Sequence, residues 1–331
     1  MADVLVTGGA GFIGSHVADA LLAGGHRVTV LDDLSGGYRE NVPASATFVK
    51  GSVTDANVID NLFSTNSFDY VFHLAAYAAE GLSHFIKRFN YTNNVIGSVN
   101  LINASVNTGV KGFVFTSSIA VYGTSSELPM TEETPMDPED SYGIAKLAIE
   151  RELEISNVMF GLKYIIFRPH NVYGPRQNIA DRYRNVVGIF MNQILQGRPM
   201  TIFGDGTQTR AFTFVGDVAP VIAESIDRAD GWNEVFNLGA DQPLSLTALA
   251  REVAAAMEVP VSVEYLPPRS EVVHAYATHD KIRRVFGVRR ETPLSDGLRA
   301  MAVWVRQHGA RQTRAFDAIE ITKNLPESWK L

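Results

Sequence analysis

The chain has 331 residues, 46% apolar and 20% charged, a composition that suits a globular protein with one large α/β domain and a smaller one. A formal net charge of −7, with no basic run interleaved with aromatics, argues against a nucleic-acid partner. The absence of cysteine removes disulfides, thiolate chemistry and sulfur-bound zinc, and it fits a reducing cytoplasm, the expected location. No apolar run approaches the ~18 residues of a spanning helix, and a strand begins at Asp3 with no basic leader, so no membrane partner is expected.

The first apolar run, Val4-Leu5-Val6, leads into Thr7-Gly8-Gly9-Ala10-Gly11-Phe12-Ile13-Gly14 and then a helical pattern through Val17, Ala18, Leu21 and Leu22. Strand, glycine turn and helix together form a dinucleotide fingerprint. Gly8 permits the tight turn, Gly11 admits a pyrophosphate to the backbone, and Gly14 lets the helix lie close to the strand. The helix start then offers free N–H groups to an anion. A second run, 28–31, ends at Asp32, where an acid can bind the ribose hydroxyls and repel a 2′-phosphate. NAD is therefore expected rather than NADP.

Further apolar runs fall at 47–49, 70–74, 113–115 and 164–167, with helical patterns near 13–24, 55–66, 84–107 and 141–160. Alternation of this kind predicts a Rossmann-like α/β fold with a doubly wound parallel sheet. The 84–107 pattern carries Asn93, Asn94, Asn100, Asn103 and Asn107 on an apolar-backed helix, a candidate subunit contact. After Pro169 the character changes. Residues 170–210 are rich in Gly, Pro, Asn and Arg, a strand–helix unit spans 211–228, and 235–238 reads as a strand returning to the sheet. The expected division is an NAD-binding domain over 1–169, joined by 211–239. A smaller mixed α/β substrate domain is expected over 170–210 and 240–331, with the last twenty residues wrapping the surface.

Tyr142 and Lys146 are spaced i, i+4 on a predicted helix and share a face. A nearby ammonium is expected to lower the phenol's pKa from about 10 and make Tyr142 a usable general base. Alone the pair is a cheap pattern. Ser118, at the carboxyl end of the 113–115 strand and twenty-four residues before Tyr142, makes it a set. A hydroxyl there can bond the substrate oxygen and pass its proton to Tyr142.

At these residues the chain resembles the extended short-chain dehydrogenase/reductase superfamily, and within it the nucleotide-sugar 4-epimerases. The matching stretches lie at 7–14, 31–35, 73–76, 91–94, 117–123, 142–146, 168–177 and 202–219. The resemblance implies NAD as cofactor, a UDP-sugar as substrate and a homodimer formed through the 84–107 and 141–160 helices. It gives the cofactor Gly8, Gly11, Phe12, Ile13, Gly14, Asp32, Asp33, Ser35, Ser52, Val53, Leu74, Ala75, Ala76 and Asn94, with Tyr142 and Lys146 shared with catalysis. It gives the substrate Ser118, Asn171, Arg184, Asn185, Val186, Phe203, Gln208, Arg210 and Arg269. Phe203 is similar to the residue that packs on the base, and Arg210 and Arg269 to the diphosphate clamps, a role suited to forked guanidinium groups. Two departures stand out. Ser52 replaces a carboxylate that meets the adenine amine in many members, and Arg269-Ser270-Glu271-Val272 is one residue shorter than the commoner motif.

Ile119 and Ala120 follow Ser118, where sugar-nucleotide 4,6-dehydratases carry an acid pair, so the expected chemistry is oxidation and re-reduction at C4. Arg182 and Arg184, beside the expected sugar pocket, favour a C6 carboxylate, hence UDP-glucuronate over UDP-glucose. The bland reading leaves both arginines on a solvated loop. The alternatives are a net dehydrogenase or reductase, a dehydratase, and a non-catalytic NAD sensor. His73, His84, His170 and His274 have no metal-like spacing and read as packing or cofactor-shell residues. The pairs Arg283-Arg284 and Arg289-Arg290 read as a wet face.

Overall fold

The structure, a computed structural model, describes residues 1–269, 272–287, 291–312 and 316–329. Arg289 and Arg290, and Ser270 and Glu271 of the shortened motif, lie outside the described residues.

Seven strands form one parallel sheet: β1 Asp3–Thr7, β2 Arg27–Asp32, β3 Thr47–Lys50, β4 Tyr70–His73, β5 Gly112–Thr116, β6 Tyr164–Pro169 and β7 Glu234–Leu238. Their order is β7-β6-β5-β4-β1-β2-β3. The apolar runs form central strands because both faces are covered, and every residue of β5 and β6 is buried. On one face Val17 and Leu21 of helix Phe12–Ala23 and Val218 and Ile222 of helix Val215–Ala223 pack over Val4, Val30, Val114 and Phe167. On the other, Ile59, Leu101, Ile149 and Leu153 pack over Leu5, Leu31, Phe113 and Ile166. The strand order reverses between β1 and β4, so their carboxyl ends diverge and leave a crevice. The returning strand is β7, which pairs with β6 in register Asn237 to Arg168.

Two departures from expectation follow from packing. The helix read at 84–107 is broken. Helix Glu80–Ser83 comes first, then helix Lys87–Tyr91, a π-helical turn at Thr92–Ile96 and helix Gly97–Thr108. The wide turn coincides with Asn94, whose amide points inward and bonds both backbone groups of Tyr77, at 2.8 and 3.1 Å. The division placed at 240 is also too simple. A separate apolar core does join helices Val186–Leu195, Leu246–Ala256 and Leu294–His308. Helix Asp280–Phe286, however, packs on the main sheet, with the Phe286 ring 5.3 Å from Phe236 and 6.0 Å from Phe167. Its Ile282 and Phe286 are apolar on the face that meets the sheet, which decides the matter.

Gly14 is where the first helix rests on the glycine turn: a Cβ there would lie 2.2 Å from the Gly8 carbonyl oxygen. Gly14→Ala must therefore push the helix off the turn. The expected cost is about 1–3 kcal/mol of stability in a denaturant titration, together with loss of bound NAD from the purified protein.

Candidate active site

A cavity of about 490 Å³ opens at the carboxyl ends of β1, β4, β5 and β6. Its cofactor end is built by close approach. A Cβ on Gly8 would sit 2.7 Å from the Ala75 nitrogen, and one on Gly37 would sit 2.4 Å from the Ala10 carbonyl oxygen, so three backbone segments meet with no room for side chains. Asp32, at the end of β2, accepts from the Ala10 N–H at 3.0 Å and the Leu34 N–H at 2.8 Å, which aims its carboxylate at the mouth of the turn. Burial raises the Asp32 pKa. Asp33 folds the next turn by accepting from the Ser35 N–H at 2.8 Å. Gly8, Gly11, Phe12, Ile13, Gly14, Asp32, Asp33, Ser35, Val53, Leu74, Ala75 and Ala76 all line the cavity.

Two residues of the expected cofactor set stand elsewhere. The Ser52 hydroxyl is 3.0 Å from that of Thr54, and Ser52 is not in the cavity wall, although Gly51 and Val53 are. Asn94 lies behind the wall and Asn93 lines it instead. Besides holding Tyr77, Asn94 donates to Asn90, which donates to the Ser141 carbonyl at 2.7 Å. It thus ties the cofactor wall to the start of helix Ser141–Phe160. His73 is held between the hydroxyls of Thr7 and Ser98, each at 2.7 Å. Burial brings its pKa down to about 3, so it is a neutral strut.

The reacting end is set by helix Ser141–Phe160, capped by the Asp140 carboxylate on the Gly143 N–H at 2.8 Å. Gly143 lets this helix touch the turn that follows Ser118, since a Cβ there would be 2.5 Å from the Ala120 carbonyl oxygen. Ser118 accepts from the Ala120 N–H at 3.1 Å and hydrogen-bonds the Tyr142 side chain. Lys146, fully buried, donates to the Thr116 carbonyl at 2.7 Å, with its ammonium 4.6 Å from the Phe115 ring centre and 5.7 Å from that of Tyr142. Ser118, Tyr142 and Lys146 all line the cavity.

The structure does not bear out the expected lowering of the Tyr142 pKa by Lys146. Burial, then the carboxylate of Glu80, push the phenol up, while Ser118 and Arg184 work the other way. Burial also brings the Lys146 ammonium down to about 7, so as placed it is a weak source of positive field.

The substrate end gathers the remaining candidates. Asn171, at φ 43°, and Asn185, at φ 64°, bend the chain into the wall, and Val186 begins the helix beyond. Arg269 stacks on Phe203 at 4.6 Å, and Gln208 donates to the Phe203 carbonyl at 2.8 Å. Arg210 donates to the carbonyls of Thr209, Val272 and Val273, which fixes its guanidinium. Arg184 is mostly buried. Its Nε donates to Asp181 at 2.6 Å, and its guanidinium lies 4.7 Å above the Tyr77 ring. The eight candidates Asn171, Arg184, Asn185, Val186, Phe203, Gln208, Arg210 and Arg269 all line the cavity, whereas Thr209 and Val273 only hold Arg210 in place. Arg182 also lines the cavity, so neither arginine of the pair sits on a free loop.

Sequence reasoning passed over Glu80, Tyr77, Asp181 and the buried set of Glu150, Arg168 and Tyr122. Glu150 receives two bonds from Arg168, at 3.0 and 2.5 Å, and one from Ser117 at 2.5 Å. Arg168 also donates to Tyr122 at 2.7 Å. A signal for Glu150 was present: it lies at i+4 from Lys146, on the buried face of its helix.

The cradle of backbone and the acid at the end of β2 fit a dinucleotide, and the Ser–Tyr–Lys grouping fits hydride chemistry at an alcohol; fold and site define a nicotinamide-dependent enzyme. A profile of the NAD dependent epimerase/dehydratase family matches residues 4–239. The UDP-glucose 4-epimerase of Mycolicibacterium smegmatis is 36% identical over 301 residues, covering 89% of this chain and 95% of that protein. The crystal structure of UDP-glucose 4-epimerase from Thermotoga maritima with UDP-glucose superposes with TM-score 0.88 at 36% identity, covering 92% of this chain and 99% of that one. UDP-glucuronic acid 4-epimerase from Bacillus cereus, in complex with UDP-glucuronic acid and NAD, gives TM-score 0.84 at 28% identity, with 92% and 99% covered. The chain belongs to the NAD dependent epimerase/dehydratase family, and NAD is its cofactor.

Because Glu80 raises the Tyr142 pKa, Glu80→Gln removes a charge that opposes the phenolate. The ascending limb of the kcat/KM–pH profile should move to lower pH; an unmoved limb would show that Glu80 does not act on Tyr142.

Proposed function

We propose that the chain is a UDP-sugar 4-epimerase. The reading rests on one observation above the rest: Ser118, Tyr142 and Lys146 face one cavity, while the positions after Ser118 are Ile119 and Ala120, which can transfer no proton. Elimination of water needs an acid at that place, and oxidation does not. The similarity to UDP-glucose and UDP-glucuronic acid 4-epimerases supports the same reading.

In this mechanism the Ser118 hydroxyl orients the sugar O4 and Tyr142 takes its proton. When bound, NAD would supply the acceptor and later donor of the C4 hydride and a positive charge that favours the phenolate. Lys146 holds the Thr116 carbonyl and so the carboxyl end of β5, two residues before Ser118. Arg210 and Arg269 would clamp the diphosphate, about which the 4-keto sugar turns to offer its other face. Tyr142 then gives the proton back, so no net proton or electron is consumed. Gly8, Gly11, Gly14 and Asp32 would hold the dinucleotide throughout.

The preference for a C6 carboxylate rests on Arg182 and Arg184 acting unopposed. Asp181 pairs with Arg184, Arg182 donates to the Ser328 carbonyl, and Glu80 adds an acid near Tyr142. The charges around the sugar end thus nearly cancel, which suits a hydroxymethyl group. UDP-glucose is therefore placed first, and UDP-glucuronate is kept as a second reading because Arg184 is buried in the cavity wall.

A homodimer is part of the proposal. Ile144, Ile155 and Met159, at 45%, 55% and 65% exposure, lie on one side of helix Ser141–Phe160 and would be covered by a second copy. So is a cytoplasmic setting, which a chain without cysteine suits.

The test is to supply each UDP-sugar to the purified protein with no added NAD and resolve the products by NMR. Conversion of UDP-glucose to UDP-galactose is expected, with Tyr142→Phe at least ~100-fold slower. A selective loss of UDP-glucuronate turnover in Arg184→Ala would promote the second reading. No product from either sugar, with NAD added, would overturn the epimerase.

A further inference from the structure

The last described stretch, residues 316–329, does not simply wrap the outside. Trp329 is 4% exposed, and its ring is set edge-on to Tyr183 at 5.2 Å and to Phe85 at 6.1 Å. The Arg269 guanidinium lies 5.8 Å from the same ring, and a Cβ on Gly81 would touch its edge at 3.2 Å. Gly81, Tyr183 and Arg269 all line the substrate cavity. One indole thus joins three wall segments from distant parts of the chain.

The rest of the stretch is fastened to the same walls. The Ser328 carbonyl accepts from Arg182, and the Phe316 N–H donates to the Tyr183 hydroxyl at 3.0 Å. Glu320 accepts from the N–H groups of Arg88 and Phe89 at 2.8 and 2.9 Å, and the Phe316 ring packs on Phe89 and Tyr77 at 4.8 and 5.4 Å. Beneath the stretch lies a second, mostly apolar cavity of about 870 Å³, which shares Gly81, His84, Phe203 and Arg269 with the first.

We infer that the carboxyl-terminal segment completes the nucleotide end of the substrate cavity, with Trp329 a positioning residue that holds Arg269 against Phe203. This rests on the UDP-sugar reading above. The physical argument is pre-organisation. A guanidinium stacked between Phe203 and Trp329 has lost much of its rotamer freedom before substrate arrives, so an anionic diphosphate meets a charge already in place. Without the indole, Arg269 loses one of the two aromatic faces that orient it, and the Tyr183 ring loses a packing partner. The loss should therefore fall on nucleotide binding and not on the proton transfer at Tyr142.

The experiment compares wild type with Trp329→Ala, Trp329→Phe and a chain ending at Gln312, measuring UDP binding by calorimetry, KM and kcat with the preferred UDP-sugar, and NAD content. In Trp329→Ala the UDP Kd and the KM should rise about tenfold while kcat falls far less, as expected when binding common to ground and transition states is removed. Trp329→Phe should recover most of the loss, the shortened chain should match or exceed it, and NAD content should hold. The inference is overturned if UDP binding and KM are unchanged in both Trp329→Ala and the shortened chain. It is equally overturned if kcat and NAD content fall with KM and Trp329→Phe gives no recovery, because the segment then only supports the fold. A wild-type protein that neither binds UDP nor turns over a UDP-sugar would remove the UDP-sugar reading itself, and this inference with it.

Discussion

The buried ion pair between Glu150 and Arg168 is the interaction on which the reacting end depends. Arg168 lies in β6 and Glu150 on helix Ser141–Phe160, with side chains 3% and 1% exposed. Glu150 also takes the Ser117 hydroxyl, the residue before Ser118. One carboxylate therefore fixes the helix that carries Tyr142 and Lys146 to the strand end that carries Ser118. Breaking such a pair from one side costs about 3–5 kcal/mol, because the remaining charge stays buried. The constraint is directional as well as strong: forked donors on a carboxylate allow little rotation, and Tyr122 and Asn237 extend the network to β7.

The electrostatics of the cavity are arranged around that frame. Tyr142 is held protonated by burial and by Glu80, and Lys146 is brought toward neutrality in the same dry environment. In the proposed mechanism this phenol becomes a base when positive charge arrives with the cofactor. On the wall beside Tyr77, the Arg184–Asp181 pair is close to neutral, which is the basis for the proposed preference for a hexose with no charge at C6. Where the diphosphate is proposed to bind, both guanidinium groups are held in place, Arg210 by carbonyls and Arg269 over aromatic faces.

Much of this could be read in the chain before any coordinates. The strands of the sheet appear as short apolar runs because each is buried on both faces, and the glycine turn is legible because its geometry admits only Gly. Tyr142 and Lys146 follow from helical spacing, and Ser118 from its place at a strand end. What escaped depends on contacts between distant segments. Asn94 looks like one more polar residue on a helix until the π-helical turn swings it onto Tyr77. Ile282 and Phe286 carry no mark of which core they join. Spacing alone weighs Lys146 but neither burial nor Glu80, so it gives the wrong direction for the Tyr142 shift. Trp329 lies far from every motif, and only the fold brings it to Arg269.

The central claim is that one hydride leaves C4 and comes back to C4 within a single closed site. UDP-glucose deuterated at C4, incubated in ordinary water with the purified protein and no added NAD, tests it directly. The account predicts UDP-galactose that keeps the deuterium at C4. Replacement of the label by solvent hydrogen would contradict it, since C4 would then have been inverted by proton chemistry at carbon and not by hydride return.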